Sequence, residues 1–161
     1  MINIPQFIKY VIRPTVDHLD LGGRGAEELL LGTALQESRL TYLHQLGTGP
    51  AVGLFQMEPA THDDIWGNYL AYQPELVTKI RDITGTMPGK SHDEMHGNMY
   101  YAAAMTRVHY RRVPAALPEA GDLTAQADYW KQYYNTYLGA GTVEEYIENY
   151  QEGMFKVEWP S

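Results

Sequence analysis

Two short stretches, Leu35-Gln36-Glu37-Ser38 and Gly53-Leu54-Phe55-Gln56-Met57, suggest the arrangement around which this chain folds. The first places a carboxylic acid at the end of an apolar run, and the second is a glycine-led turn that carries a glutamine. Pro59-Ala60-Thr61 follows and indicates the start of a helix, because proline is tolerated in the first helical turn. An acid on an apolar face opposite a polar turn indicates a candidate general-acid site.

The helical phase of the first stretch places Glu37 on an apolar face. A helix is predicted over 26–38, and within it Leu30, Ala34 and Glu37 fall at i, i+4 and i+7. A carboxyl group on the core-facing stripe of a helix is either paired or more readily protonated than in water. Glu37 is therefore the leading candidate for a catalytic acid.

The remaining pattern predicts a mostly α-helical chain of about seven helices, with a short β-hairpin or irregular loop around 39–56. Sequences of the capping-box type at Ser91–Glu94 and Thr142–Glu145 each indicate a helix start. The helices are predicted at 4–20 with an interruption near Pro14, at 26–38, 59–70, 74–82, 92–112 and 125–137, and after Thr142 as far as about Glu152.

Composition limits the classes of function. At 161 residues and 44% hydrophobic content the chain is expected to form one domain, 1–161. The lack of cysteine excludes disulfides and thiolate catalysis, and the net charge of −8 argues against a nucleic-acid partner. No apolar run reaches the ~20 residues that span a bilayer, so no membrane partner is expected. A basic cluster is interpreted as a solvated helix face; it comprises Arg107, His109, Arg111 and Arg112.

Five segments together resemble one enzyme family. Glu37-Ser38, residues 51–57, Pro59-Ala60-Thr61, residues 98–105 and Tyr134-Asn135 resemble the motifs of the soluble lytic transglycosylase domain, the SLT family, which shares the lysozyme-like fold with goose-type lysozyme. The resemblance covers roughly residues 26–150. It implies a lysozyme-like fold and cleavage of peptidoglycan glycan strands.

The sequence departs from the family pattern at two places. Phe55 stands where the family usually has methionine, and Thr136-Tyr137 replaces an Ala-Gly pair. Carried over by position, the resemblance implies that Glu37 is the catalytic acid. It implies a substrate-binding role, or support of the site, for Ser38, Phe55, Gln56, Asn98, Tyr134 and Asn135.

The chemistry leaves alternatives open. In the family that this chain resembles, one Glu protonates the bond between N-acetylmuramic acid and N-acetylglucosamine and then acts as base while a 1,6-anhydro ring closes. A lysozyme-type hydrolase usually needs a second carboxylate, for which Glu58, Asp63 and Asp64 are the candidates. Asp63 and Asp64 are interpreted as first-turn charges that favour the helix dipole. A non-catalytic structural or glycan-binding virion protein is the third alternative.

A zinc site is a further alternative, because two histidines at i and i+4 can bind zinc on one helix face. His92 and His96 have this spacing, but Asp93 occupies the place where a metallopeptidase motif has glutamate. We therefore expect no metal at these histidines, and the predicted glycan cleavage needs no cofactor.

The predicted partners are peptidoglycan strands and, for an enzyme carried by a phage, virion or tail proteins. Met1 to Tyr10 lacks a long apolar run with a cleavage site, which predicts that no signal peptide is present. A phage origin is therefore expected, either as an endolysin released from the host cytoplasm to the cell wall or as a virion component that opens the wall.

Overall fold

The computed structural model describes residues 1–85, 91–135 and 139–161, and most of them lie in helices. The described residues form nine α-helical segments: α1 (Ile4–Phe7), α2 (Arg13–His18), α3 (Arg24–Ser38), α4 (Pro59–Asn68), α5 (Pro74–Thr84), α6 (Glu94–Gly97), α7 (Met99–Arg111), α8 (Leu123–Trp130) and α9 (Val143–Gly153). Two π-helical segments, Ile8–Ile12 and Lys131–Asn135, and a 3-10 turn at Leu70–Tyr72 accompany them. The prediction of a mostly α-helical chain is confirmed.

Helix α3 lies at the centre of the packing. Leu29–Leu31 and Ala34 have no exposed surface, and α3 contacts α2, α7, α8 and α9. Its apolar surface therefore extends further around the helix than the predicted single stripe, as in a helix surrounded by others. Gly32 permits this packing, because a Cβ atom there would lie 2.0 Å from the Tyr146 hydroxyl oxygen on α9.

The N-terminal helix continues through Pro14. The backbone N–H of Arg13 bonds to the carbonyl of Ile8, so Ile8–Ile12 winds as a π turn that joins α1 to α2. Proline lacks an N–H and its ring crowds the carbonyl four residues before it. The predicted interruption near Pro14 is therefore a local widening of the helix, and the helix is not broken there.

The helix predicted over 92–112 is divided into α6 and α7. The Ser91 hydroxyl accepts the N–H of Asp93 at 3.0 Å, and the helix that starts at Glu94 ends after one turn. Asn98 then caps α7, because its Oδ1 accepts the N–H of Tyr101 at 3.0 Å. The prediction of one continuous helix was wrong, since a second capping residue restarts the helix at Met99.

The segment between α3 and α4 is an irregular loop with two isolated antiparallel bridges. His44 pairs with Val52, and Val52 pairs with Met57. Val52 and Met57 exchange two backbone hydrogen bonds, of 2.9 and 3.1 Å, so the chain reverses between them. This reversal forms the Gly53–Gln56 turn, in agreement with the predicted irregular loop.

The C-terminal helices were placed nearly correctly. α8 continues as the π-helical segment to Asn135, and the predicted helix end at Tyr137 lies outside the described residues. The Thr142 hydroxyl accepts the N–H of Glu145 at 3.1 Å, which confirms the predicted cap of α9. All nine α-helical segments contribute buried hydrophobic side chains to one core cluster. Within the part of the chain that the structure describes, no helix has both the length and the apolar character needed to cross a membrane.

Candidate active site

An open cleft of about 420 Å³ lies at the C-terminal end of α3. Its walls are formed by the end of α3, by the loop before α4, and by residues 134–135 and 139–141. Its polar lining includes Gln36, Glu37, Gln45, Gln56, Glu58, Thr61, His109, Tyr134 and Asn135. A second cavity of about 260 Å³, which reaches Tyr42, shares Gln36, Glu37, Gln45 and Gln56 with the first. The cleft therefore extends to both sides of Glu37.

Glu37 is partly buried and has no cationic partner among the described residues. The indole N–H of Trp130 donates to its Oε1 at 3.0 Å. Burial raises the pKa of Glu37 to about 7, and the Trp130 hydrogen bond opposes this rise without cancelling it. A carboxyl group with this pKa is partly protonated at neutral pH, so it can deliver a proton and then accept one.

The Gly53–Gln56 turn forms the wall opposite Glu37. Gly53 has a φ of +80°, and a Cβ atom there would lie 2.5 Å from the Met95 carbonyl oxygen, so this position requires glycine. Gln56 has a φ of +49° and its side-chain amide donates to the Gly53 carbonyl at 2.8 Å. The structure thus places Gln56 at the cleft, as predicted for a residue that lines the saccharide site.

Ser38 lies next to the acid but is used within the protein. It is 1% exposed, and its hydroxyl lies 2.6 Å from the Leu54 carbonyl and 3.2 Å from the Ala34 carbonyl, to which it donates. It therefore fixes the Gly53–Gln56 turn to the end of α3. Ser38 also lines the smaller cavity beside Glu37, while its hydroxyl is used by these two carbonyls.

Phe55 and Asn98 belong to the predicted substrate-binding set, but their side chains do not line the cleft. The Phe55 side chain is 1% exposed and packs against Phe7, with ring centroids 6.1 Å apart, so only its backbone is near the cleft. The Asn98 side chain caps α7 and donates to the Thr84 carbonyl at 3.0 Å, and it does not line the cleft. Sequence motifs do not distinguish such capping and packing roles from substrate contact.

Tyr134 and Asn135 line a further wall of the cleft, beside the Gly53–Gln56 turn, as the motif resemblance predicted. The Tyr134 hydroxyl donates to the Phe55 carbonyl at 2.6 Å, which ties this wall to the glycine-led turn. Burial and then the nearby Glu37 raise the pKa of the Tyr134 phenol, so this hydroxyl keeps its proton. Asn135 is held by the ammonium group of Lys131 at 2.7 Å.

Lys131 stabilises the same wall through three hydrogen bonds. Its Nζ donates to the Asn135 Oδ1, to the Gly139 carbonyl at 3.1 Å and to the Gly141 carbonyl at 2.6 Å. Gly141 also lies against Trp130, the hydrogen-bond donor to Glu37, since a Cβ atom at Gly141 would lie 2.7 Å from the Trp130 ring. Sequence reasoning missed Lys131, since nothing in its spacing indicates three backbone and side-chain acceptors around it.

His109 is a cleft residue that sequence reasoning missed. Arg112 donates to the His109 Nδ1 at 3.2 Å, so the neutral ring carries its proton on Nε2. Burial and then the positive charge of Arg112 lower the pKa of His109 to about 4. Its ring packs edge-on against Tyr134, with centroids 5.2 Å apart. The helical spacing to Ala102 and Met105, at i+7 and i+4, could have indicated this inward direction.

The interpretation of residues 107–112 as one solvated face was wrong. Arg107 is only 6% exposed, His109 lines the cleft, and Arg112 donates to Asp64 Oδ2 at 2.6 Å. Because successive helical residues are rotated by about 100°, Arg107 and His109 point to nearly opposite sides of α7, so the four residues cannot share one face. Only Arg111 is a solvent-exposed member of the cluster.

The three candidates for a second carboxylate are separated by the structure. Glu58 is exposed and lines the cleft. Asp63 lies 2.9 Å from the Nδ1 of buried His62, and Asp64 is bound by Arg112, which lowers the pKa of its carboxyl. Neither aspartate lines the cleft.

The two histidines at i and i+4 both lie near the carboxylate of Asp93, at 3.4 Å for His92 Nε2 and 3.9 Å for His96 Nδ1, but their closest contacts differ. His96 Nε2 lies 3.0 Å from His44 Nδ1, whereas His92 faces the carboxylate of Asp93 at 3.4 Å. Across residues 1–85, 91–135 and 139–161, no group of three or more His, Cys, Asp or Glu side chains is placed to hold a metal ion.

Comparison with known proteins found no matching family model, no matching curated protein and no matching solved structure. The resemblance to lytic transglycosylases therefore depends on the sequence motifs alone, and the candidate active site depends on the geometry of the cleft.

Proposed function

We propose that this protein is a peptidoglycan lytic transglycosylase in which Glu37 serves as acid and then as base. The observation that supports this most is the state of Glu37. It lies at an open cleft, has a single N–H donor and no cation beside it among the described residues, and has a pKa of about 7. Glycosidic cleavage needs such an acid, because the bridging oxygen is a poor base.

In the proposed reaction Glu37 donates its proton to the oxygen that bridges N-acetylmuramic acid to N-acetylglucosamine. The bond from that oxygen to the muramic C1 breaks, and the N-acetylglucosamine hydroxyl leaves. Glu37, now a carboxylate, takes the proton of the muramic 6-hydroxyl while that oxygen bonds to C1. The products are an anhydro end and a free hydroxyl end, and the acid regains its proton.

The shape of the cleft supports a polymeric substrate. The two adjoining cavities meet at Glu37, Gln36, Gln45 and Gln56, so sugar units would have room on both sides of the acid. Amide side chains suit the hydroxyl and N-acetyl groups of a glycan, because each amide both donates and accepts hydrogen bonds. The exposed Tyr42 beside the smaller cavity offers a flat ring face for a sugar.

A hydrolase of the lysozyme type is a second candidate function, and Glu58 is the observation that favours it. Its exposed carboxyl is the one member of the proposed second-carboxylate set that lines the cleft. In an inverting hydrolase such a group activates a water molecule on the opposite face of the sugar. Glu58→Gln would then abolish cleavage, whereas a transglycosylase would retain most of its activity.

Mass spectrometry of digested peptidoglycan tests the proposal. A transglycosylase yields anhydro ends that are one water lighter than the reducing ends from a hydrolase. We expect anhydro products from the parent protein, none from Glu37→Gln, and a nearly unchanged yield from Glu58→Gln. Reducing ends that disappear in Glu58→Gln would establish the hydrolase instead. No cleavage by either the parent or Glu37→Gln would leave a structural or glycan-binding role, and equal, measurable cleavage by both would show that Glu37 is not the acid.

The acidic surface bears on how the enzyme would reach the wall. With a net charge of −8, the chain is repelled by an anionic cell wall at low salt. We therefore propose delivery by a virion or tail protein, or release as a phage endolysin. Turbidity clearing by the isolated protein should rise from low to moderate salt as this repulsion is screened, and a falling rate would contradict the idea.

A further inference from the structure

Arg107, on α7, is a buried cation outside the cleft. It is 6% exposed, and its Nε donates to the Leu21 carbonyl at 2.8 Å. Its Nη1 is shielded from solvent and has no hydrogen-bond partner among the described residues. Burying a guanidinium nitrogen without an acceptor is costly, so such a group usually marks a missing partner.

A separate cavity of about 360 Å³ adjoins this guanidinium. It is lined by Arg107, by Leu21, which accepts the Nε bond, and by Arg111, one helical turn further along α7. The chain after α7, residues 113–117, forms another wall. The cavity therefore offers space beside two arginines, of which Arg111 is exposed and Arg107 is not.

Protein carboxylates do not neutralise these two arginines. Asp20 also lines the cavity, but its carboxylate is bound to Lys79 Nζ at 2.6 Å. Within the described ranges, neither Arg107 nor Arg111 forms a salt bridge. Burial, together with the nearby Arg111, lowers the pKa of Arg107 to about 10, which still leaves it charged at neutral pH. Among the described residues, therefore, no carboxylate is paired with either arginine at this cavity.

We infer that this cavity is a binding site for a small oxyanion, a phosphate or carboxylate group held by Arg107 and Arg111. The planar guanidinium presents parallel N–H donors that match two oxygens of such a group. Leu21 fixes Nε, so the unpartnered Nη1, which is shielded from solvent, is the donor that a ligand would gain once the guanidinium turns toward the cavity that Arg107 lines. The exposed Arg111 adds attraction at the opening. This site is independent of the proposed wall cleavage.

Thermal unfolding in phosphate and in chloride at equal ionic strength tests the inference. Ligand that binds only the folded state raises the melting temperature. We expect phosphate to raise the melting temperature of the parent protein and of Arg81→Met, a control variant at an exposed arginine of α5. We expect the phosphate-dependent rise to be lost in Arg107→Met, with each variant compared only with itself in chloride. An equal rise in Arg107→Met, or no rise in the parent, would overturn the inference.

Arg111→Gln provides a second variant that leaves the buried packing intact. Removing one charged donor should weaken the affinity for phosphate about tenfold, as measured by isothermal titration calorimetry. A parallel titration with acetate distinguishes a site for phosphate from one for carboxylates. Undiminished affinity in Arg111→Gln would show that the anion binds elsewhere. If neither anion binds the parent protein, the cavity holds only water and the inference fails.

Discussion

The two ends of helix α3 carry glutamates in contrasting surroundings. Near the N-terminal end, Glu28 is 6% exposed, and its carboxylate receives Arg24 at 3.0 Å and the Gln126 amide at 2.8 Å. Near the C-terminal end, Glu37 receives a single neutral donor, the Trp130 indole, at 3.0 Å. Both carboxyl groups are withdrawn from solvent and each lines a cavity, of about 400 Å³ at Glu28 and about 420 Å³ at Glu37, so the two differ in their hydrogen-bond donors and not in access.

Burial alone therefore does not distinguish the proposed acid from a glutamate that serves the packing. Glu28 is satisfied by an ion pair and by N–H donors, and it lies near the helix end whose partial positive charge favours a carboxylate. Glu37 lies at the opposite end, where the helix dipole disfavours negative charge, and lacks a cation among the described residues. The first arrangement suits stability and the second suits proton transfer.

The largest expected effect is the loss of activity in Glu37→Gln. Removing the proton donor should lower the clearing rate of a peptidoglycan suspension by about 10²–10⁴-fold, because general acid catalysis contributes that much. The fold should be retained, as checked by circular dichroism. Glu152→Gln, at an exposed position of α9, is the matched control and should behave like the parent. Parent-like clearing by Glu37→Gln would remove the functional contrast between the two ends of α3.

Glu28→Ala should give the opposite result. It leaves the backbone N–H of Gly121 and the Gln126 amide without their carboxylate acceptor, so we expect the free energy of unfolding to fall by about 2–4 kcal/mol. Activity per folded molecule should stay near that of the parent at low temperature. Urea unfolding measures the first quantity and clearing rates the second. Unchanged stability would mean that this buried carboxylate contributes little.

The dependence of stability on pH sharpens the contrast further. Because the pKa of folded Glu37 is raised from 4.5 to about 7, the folded state binds more protons than the unfolded state between these values. Stability from this group therefore falls as the pH rises through that interval. Glu37→Gln does not titrate, so its stability relative to the parent should increase from pH 4.5 and level off above pH 7, by roughly 3 kcal/mol. A difference that does not vary with pH would show that the pKa is not raised.

The smallest expected effect concerns the one hydrogen bond to the acid. Trp130→Phe removes a donor that favours the carboxylate, so the pKa of Glu37 should rise further. The alkaline limb of the pH–activity profile should shift upward by about 0.7 pH unit, since a single neutral hydrogen bond contributes about 1 kcal/mol. Trp66→Phe, which removes an indole donor to Tyr101 on another helix, is the control. A downward shift would contradict the assignment.

Much of this arrangement could be predicted from local sequence. The end of α3 at Ser38, the start of α4 at Pro59 and the cap of α9 at Thr142 follow from short-range rules, and the structure confirms each one. Glu37 and Gln56 were correctly placed at one cleft through the motif resemblance. These features depend on nearby residues or on a recognisable pattern.

The remaining features depend on tertiary contacts that leave no local signal. The π turn that carries Tyr134 has no periodicity of its own, and the break before α7 arises because Asn98 also bonds to the Thr84 carbonyl. Trp130 lies 93 positions from Glu37 in the sequence, yet its indole N–H reaches that side chain across the fold. Arg107 was interpreted as solvent-exposed because arginine is charged. Its position on the helix, which determines the direction of the side chain, was not considered.

The Trp130–Glu37 hydrogen bond also has a consequence for folding. It joins residues 93 positions apart, so a long loop must close before it can form. Until then Glu37 is an ordinary glutamate with a pKa near 4.5, ionised and well solvated at neutral pH. The burial that raises the pKa of Glu37 is completed only when α8, which carries Trp130, packs against α3. During synthesis, a chain that ends before α8 therefore contains Glu37 as a solvated carboxylate, without the raised pKa.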